Sequence, residues 1–180
     1  VTMPMPLPQT EIAAAAVRAS LEELRTHVPD VGFENTAFLY FLGDPLEEPA
    51  WITSCLTGPR THLLLDVHNL YANALNSGFD PEAYLDRLPL DRVIEIHVSG
   101  GSWSEEDWLA SGRRMRLDSH DHAVPKAVWS LLETALPRCT NVRGVTLERM
   151  YGTVEEPDVV ILREELRRIR TTLGRRHAAR

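Results

Sequence analysis

Short apolar runs alternate along the chain with longer segments whose apolar residues recur at helical spacing. Runs of strand length, bounded by polar or turn residues, predict buried strands at 31–33, 63–65, 93–96 and 145–147. Between and around them, amphipathic spacing predicts helices at 11–28, 47–56, 80–88, 124–136 and 158–173. Strands that alternate with helices indicate βα units, and therefore a parallel sheet covered by helices on its outer face.

Further predictions concern the two ends of the chain and its last helix. Alternating prolines in residues 1–10 predict an extended lead-in, because proline excludes a helix there. Residues 174–180 are expected to form a flexible tail. The apolar stripe of the last helix predicts four residues that face the core, namely Val160, Leu162, Leu166 and Ile169.

Each predicted strand is followed at once by a side chain that can bind a metal or transfer a proton. In chain order these side chains are Glu34, Asp66, His97 and Glu148. A single carboxylate at such a position more often caps the following helix. Parallel α/β folds, however, bring the C-terminal ends of their strands together, and converged carboxylates repel one another unless a cation lies among them. The pattern therefore predicts a divalent metal site with ligands that suit zinc, manganese or iron.

Two other segments offer further ligands to the same edge of the sheet. The interval between the third and fourth strands exceeds one βα unit by about twenty residues, which predicts an inserted loop. That loop contains the candidates Asp118, His120 and His122. After the second strand, His68 either binds metal or forms a local hydrogen bond at a helix start, and Asn69 can reach the same cavity.

The remaining histidines are not expected to be ligands. His27 lies at a predicted helix end and His177 in the predicted tail, so both are expected to be solvated. His62 precedes its predicted strand and should therefore lie at the opposite end of the sheet.

Composition narrows the classes of partner. The 180 residues carry 26 acidic and 19 basic side chains, a formal charge of −7 that disfavours nucleic acid and anionic membranes. Arginines between residues 167 and 176 indicate a solvated helix end, or less often a contact with an acidic partner.

Cys55 and Cys139 have no metal-binding spacing and are expected to be small core residues in a reducing compartment. Without an apolar run that could span a bilayer, a cytoplasmic protein is expected.

Five segments together carry a resemblance to a known family. They are LLLDVHNLYANALNSGFD at 63–80, IHVSGG at 96–101, LDSHDHAVP at 117–125, TLER at 146–149 and ENTA at 34–37. In combination they resemble the multinuclear non-haem iron-dependent oxidative enzymes. That family is a branch of the xylose-isomerase-like TIM barrels, and its metal layout is similar to that of endonuclease IV. The sequence differs from the common family pattern at His68 and at Ser77.

The resemblance implies roles for individual residues. Glu34 would bridge two metals, and Asp66, His97 and Glu148 would complete a central site. A neighbouring site would use Asn69, Asp118 and His120, with His122 on the substrate side. The family holds two or three iron ions, fewer are possible here, and zinc or manganese are the alternatives.

The resemblance also implies a fold and its extent. A full (β/α)₈ barrel typically needs about 250 residues. The family's first strands supply histidines for another metal, and no matching region precedes Glu11. Residues 1–180 therefore resemble the C-terminal half of such a barrel, with parallel strands in an incomplete or half barrel. Unpaired edge strands must be covered. Three possibilities are open: the chain is a truncated product whose missing half came first, a second copy or a separate N-terminal chain closes the barrel, or the chain has lost catalysis and persists as a binding module.

The expected function follows from the family. It is iron-dependent oxidative modification of cysteine-containing, ribosomally made peptides, as in natural product biosynthesis. Two alternatives stay open. One is a non-catalytic half barrel that binds metal or protein, and the other is a metal enzyme similar to endonuclease IV or a sugar isomerase. The acidic charge disfavours the nuclease, and the one lysine, Lys126, gives little support to the isomerase.

Overall fold

The computed structural model describes residues 5–178, and side chains up to residue 175. Four strands form one open, all-parallel sheet in the order β1-β2-β3-β4. They are β1 (Val31–Glu34), β2 (Thr61–Asp66), β3 (Val93–Val98) and β4 (Gly144–Leu147). Within the described residues, β1 and β4 each pair with a strand on one side only. The expected α/β class and partial TIM-barrel-like architecture are thus confirmed.

Six helices accompany the sheet within residues 5–178. They are α1 (Glu11–Arg25), α2 (Glu48–Cys55), α3 (Val67–Ser77), α4 (Pro81–Arg87), α5 (Lys126–Ala135) and α6 (Asp158–Ala178), with short 3₁₀ turns at Pro45–Glu47 and Leu90–Arg92. All five predicted helices are present within a few residues. Residues 174–178 continue α6 instead of forming a tail. Residues 5–10 have no helix or strand, while 1–4 and 179–180 of the predicted lead-in and tail lie outside the described residues.

Helix α3 was not among the predicted helices, although its ends carry ordinary signals. The Asp66 side chain caps it by accepting a hydrogen bond from the Asn69 amide at 2.8 Å. It ends at Gly78, whose φ of 76° is the left-handed conformation that glycine adopts at low cost. Apolar periodicity misses the helix because its buried face is partly polar. There Asn73 accepts from the Phe38 amide at 2.7 Å, and so ties α3 to the loop after β1.

The apolar core lies between the sheet and its helices. Leu63, Leu65, Ile96 and Val98 alternate along β2 and β3, and each has no solvent-exposed surface. Asp66 and His97 are register partners in neighbouring strands and belong to the opposite, polar face. One face of the sheet thus packs apolar side chains, while the other carries ionisable side chains at its C-terminal edge.

Two expectations about packing have different outcomes. Cys55 and Cys139 are both buried, as predicted. The predicted inward stripe of α6 is wrong for two of its four members, because Val160 is 71% exposed and Leu166 is exposed, whereas Leu162 is half-buried and Ile169 is buried. The reason is the position of α6, which contacts β4 at the edge of the sheet, where no further strand of the described chain covers it.

None of the helices in the described part of the chain is long and apolar enough to cross a bilayer.

Candidate metal centre

The strand ends bring four candidate ligands to one point. Glu34 and Asp66 are the last residues of β1 and β2, His97 is next to last in β3, and Glu148 follows β4 directly. One ligand atom from each of these residues lies within 4.8 Å of the others. We call this group, Glu34, Asp66, His97 and Glu148, the central cluster.

A second group shares one residue with the first. Ligand atoms of Asp66, Asp118 and His120 also lie within 4.8 Å of one another, and we call these three the adjacent cluster. His120 Nε2 is 2.6 Å from Asp118 Oδ1 and 3.7 Å from Glu148 Oε2, so the two clusters are in contact. Because Asp66 belongs to both, the arrangement suits two neighbouring cations that share a carboxylate.

The loop that carries Asp118 and His120 is held against β3 by two glycines. A Cβ on Gly100 would lie 2.2 Å from the Ala123 carbonyl oxygen, and one on Gly101 would lie 2.0 Å from that of Leu117. Only glycine allows this approach of the two backbones. His120 itself has a φ of 53°, an uncommon conformation for a residue with a side chain. Backbone strain of this kind tends to collect at functional sites.

Asparagines anchor the second strand end. Asn35 exchanges two hydrogen bonds with the backbone of Asp66, each 2.9 Å long. Asn69 donates from Nδ2 to Glu34 Oε1 at 3.2 Å, while its buried Oδ1 has no hydrogen-bond partner. The oxygen of Asn69 is therefore available to a cation beside the carboxylates.

Buried polar atoms without a hydrogen bond concentrate at this edge of the sheet. Most of the buried side-chain nitrogens and oxygens without a hydrogen bond, within residues 5–175, belong to the candidate ligands: Asp66 Oδ2, both ring nitrogens of His68, Asn69 Oδ1, His97 Nδ1, His120 Nε2 and Glu148 Oε2. Buried polar groups are normally satisfied, and each unsatisfied one is costly. Three of the imidazole nitrogens lie near carboxylate oxygens without hydrogen-bond geometry, at 3.3 Å for His68, 3.2 Å for His97 and 2.6 Å for His120. Metal ions bound at this edge would be partners for the oxygens and the imidazoles alike.

The electrostatics of the cluster favour a cation. Burial, together with the nearby carboxylates of Asp118 and Glu34 and against the helix-cap hydrogen bond, raises the pKa of Asp66 to about 8. Burial alone would lower the pKa of His97, but the carboxylate of Glu148, 3.2 Å from Nδ1, raises it to about 9. Protons thus compensate the converged charge, and a metal ion would displace them.

His68 and His122 were both additional candidates, and the structure separates them. His68 has no exposed surface, its ring nitrogens make no local hydrogen bond, and Nδ1 lies 3.3 Å from Asp118 Oδ1. His122 is 63% exposed in its side chain and pairs with Asp121 at 2.7 Å, so it joins neither cluster.

The histidines that were not expected to be ligands lie away from both clusters where they are described. His62 is the second residue of β2, at the opposite end of the strand from Asp66, and Nε2 lies 2.9 Å from Asp30. His27 is exposed after α1. The side chain of His177 lies outside the described residues.

Sequence reasoning missed one charged neighbour of the cluster. Glu95 lies two residues before His97 in β3, and its Oε1 is 3.4 Å from His97 Nε2. The same oxygen accepts a hydrogen bond from Thr146 in β4. The two-residue period of a strand places Glu95 and His97 on one face, so the signal was present in the sequence.

The fold and the site together define a class of protein. An open parallel α/β sheet with carboxylates and imidazoles at its C-terminal edge is the layout of a partial TIM-barrel-like fold with groups that could bind a metal. The chain also matches the family model of the RiPP precursor modification enzyme MbnB/TglH/ChrH over residues 3–174. It therefore belongs to that family, which confirms the family resemblance of its motifs.

Curated relatives are known as UPF0276 proteins. One from Caulobacter vibrioides is 33% identical over 174 residues, which are 96% of this chain and 59% of the relative. Another from Acaryochloris marina is 36% identical over 135 residues, 74% of this chain and 46% of the relative. A third from Bordetella parapertussis is 38% identical over 143 residues, which are 79% of this chain and 47% of the relative. The chain thus spans about half to three fifths of the relatives that it matches.

Proposed function

We propose that this chain supplies the carboxylate and imidazole ligands of a centre with two or three iron ions, which oxidatively modifies cysteine-containing, ribosomally made peptides. Family membership supports a peptide substrate. The observation that carries the proposal is the pair of clusters that share Asp66, with their unsatisfied buried atoms. Zinc and manganese suit the same ligand types and are the alternatives to iron.

Each ligand would have a definite task. Asp66, which belongs to both clusters, would be shared between two ions, a role that the resemblance assigned to Glu34, while Glu34, His97 and Glu148 would complete the central site. Asn69, Asp118 and His120 would hold the neighbouring ion, with His68 beside Asp118 as a further ligand. When bound, iron would supply redox chemistry with dioxygen as the oxidant and a binding position for the substrate thiolate.

The site residues can be tested by metal content. Protein purified without oxygen should contain iron by elemental analysis, and Asp66→Ala or His97→Ala should remove it. A matched pair lies in one loop: His120→Ala should lose metal, whereas His122→Ala should keep it. Full metal occupancy in Asp66→Ala and His97→Ala would contradict the assignment of the ligands.

The oxidative activity needs its own measurement. The chain, with any partner it requires, should consume dioxygen only when a cysteine peptide is present, and mass spectrometry should show a changed peptide. A serine peptide of otherwise identical sequence is the control. Oxygen uptake without a change in the peptide would contradict a modifying enzyme.

We further propose that the edges of the sheet are covered by a further part of a longer protein, by a second copy or by a partner protein. The edge strands β1 and β4 have free sides within the described residues, and α6 exposes Val160 and Leu166 beside β4. Uncovered edges and apolar patches promote association. A native mass well above the 20.3 kDa of one chain is expected, and a stable monomer of that mass would refute this proposal.

A further inference from the structure

A buried arginine beside the adjacent cluster lacks an anionic partner. Arg116 is 8% exposed, and its Nε has no hydrogen bond. Among the described residues, no carboxylate oxygen lies within 4.0 Å of its guanidinium, although ion pairs at that distance form elsewhere. A buried charge without a partner is costly, so proteins normally pair it.

The backbone of Arg116 is fixed from two sides. Its amide donates to Asn76 Oδ1 at 2.8 Å, and its carbonyl accepts from Asn76 Nδ2 at 2.9 Å. It also forms an antiparallel bridge with Trp103, extended by the hydrogen bond from the Leu117 amide to the Ser102 carbonyl at 2.9 Å. The position of this arginine is therefore set before any ligand arrives.

Two aromatic rings hold the guanidinium. Its central carbon lies 5.6 Å from the centre of the Tyr71 ring and 5.7 Å from that of Trp103. Such contacts offset part of the burial cost through the ring faces. They do not use the N–H groups at the guanidinium edge, which form paired hydrogen bonds with a carboxylate or phosphate.

The position of Arg116 connects it with the proposed centre. Tyr71 lies one helical turn from His68, with ring centres 6.1 Å apart, and His68 touches Asp118 of the adjacent cluster. The nearby acid Asp121 is already bonded to Ser119 and His122. The guanidinium is thus linked to the site through Tyr71 and His68, and the charge of Asp121 acts on it without forming an ion pair.

We propose that Arg116 binds a carboxylate of the peptide substrate and so positions the peptide at the metal centre. This inference rests on the proposed function, since the peptide is the source of the anion. The carboxylate belongs either to the C-terminus of the peptide or to an acidic side chain near its cysteine. Arg116 is in this sense a positioning and specificity residue.

Three cysteine peptides of equal length distinguish the peptide C-terminus from an acidic side chain as the source of the carboxylate. One has a free C-terminus, one is amidated and carries no acid, and one is amidated with a glutamate next to the cysteine. Calorimetric titration of the protein as purified should show the neutral peptide binding at least about tenfold more weakly than one of the other two. Whichever acidic peptide binds tightly identifies the source of the carboxylate.

Variants then test the arginine itself. Arg116→Leu should reduce the affinity for the acidic peptide to that for the neutral one, and Arg116→Lys should retain part of the difference. Arg114→Leu, which removes an exposed charge from the same loop, should leave all three affinities unchanged. The metal content of every variant is measured beside its affinity, so a failed metal centre is distinguished from a failed carboxylate site.

A purely structural arginine would behave differently. Arg116→Leu would then lower the melting temperature and weaken all three peptides equally, which overturns the proposal. Equal affinity of the unaltered protein for all three peptides overturns it as well, as does a lack of binding by any of them. Loss of discrimination with unchanged metal content supports it.

Discussion

Glu48 offers a sharp test of the physical reasoning, because burial and one hydrogen bond alone account for its pKa. It lies in the first turn of α2, is 7% exposed, and accepts a hydrogen bond of 2.6 Å from the hydroxyl of the buried Tyr84. Burial raises the pKa of Glu48 from 4.5 to about 7, against the lowering effect of that hydrogen bond. Glu48→Gln would remove the charge and keep an acceptor for Tyr84.

The sign and size of the effect follow from linkage. The carboxyl has a lower pKa in the unfolded chain, so there it loses its proton at a lower pH than in the folded protein. The folded state therefore becomes less stable relative to the unfolded state as pH rises from 4.5 to 7. At 1.36 kcal/mol per pKa unit, the full cost above pH 7 is about 3 kcal/mol. Below pH 4.5 both states are protonated and the cost vanishes. Glu48→Gln should therefore stabilise the protein at pH 8 and much less at pH 5.

Urea unfolding at pH 5, 6, 7 and 8 measures this difference. The free energy of unfolding of Glu48→Gln should exceed that of the unaltered protein by about 1 kcal/mol at pH 5 and about 3 kcal/mol at pH 8. At pH 8 the melting temperature should rise by about 6–12 °C. Glu47→Gln, at the exposed neighbouring position, is the control and should change stability by less than about 0.5 kcal/mol. A difference between Glu48→Gln and the unaltered protein that does not vary with pH would refute the reasoning.

Three further predictions concern the metal centre and its scaffold. Ferrous or zinc ion at a hundred times its dissociation constant should raise the free energy of unfolding by about 2.7 kcal/mol, and an equal rise in Asp66→Asn would contradict the ligand assignment. Because protons compete for Asp66 and His97, with pKa values of about 8 and 9, metal affinity measured by titration should fall as pH is lowered from 8 to 6. Gly101→Ala should cost about 2 kcal/mol or more in urea unfolding, whereas Gly144→Ala, where a Cβ meets nothing within 4 Å, should be tolerated.

The sequence predicted the strands and their ends well because both depend on local pattern. Apolar runs bounded by polar residues are a property of a few neighbouring positions, and the parallel arrangement then brings Glu34, Asp66 and Glu148 to one edge. The long loop was predicted from spacing alone, and it does carry Asp118 and His120 to that edge. Their role as ligands stays a prediction until metal binding is measured.

Features that depend on distant contacts were not predictable in this way. Helix α3 buries Asn73 and Asn76, whose amides hydrogen-bond loops 35 to 40 residues away, so its inner face does not look apolar. The stripe on α6 was assigned to the core, yet whether Val160 is buried depends on a neighbour beyond β4. Periodicity shows that a face is apolar, but it does not show what covers that face.

Asp66 shows why capping and metal binding were not true alternatives. Its Oδ1 accepts the Asn69 amide at 2.8 Å and starts α3, whereas its buried Oδ2 has no hydrogen bond and faces both clusters. The cap fixes the plane of the carboxylate, and the two hydrogen bonds that Asp66 exchanges with Asn35 fix its backbone. A ligand held in this way needs little reorganisation when a cation binds. The common role of a strand-end carboxylate as a helix cap therefore supports its role as a ligand, because each of the two oxygens can serve one of them.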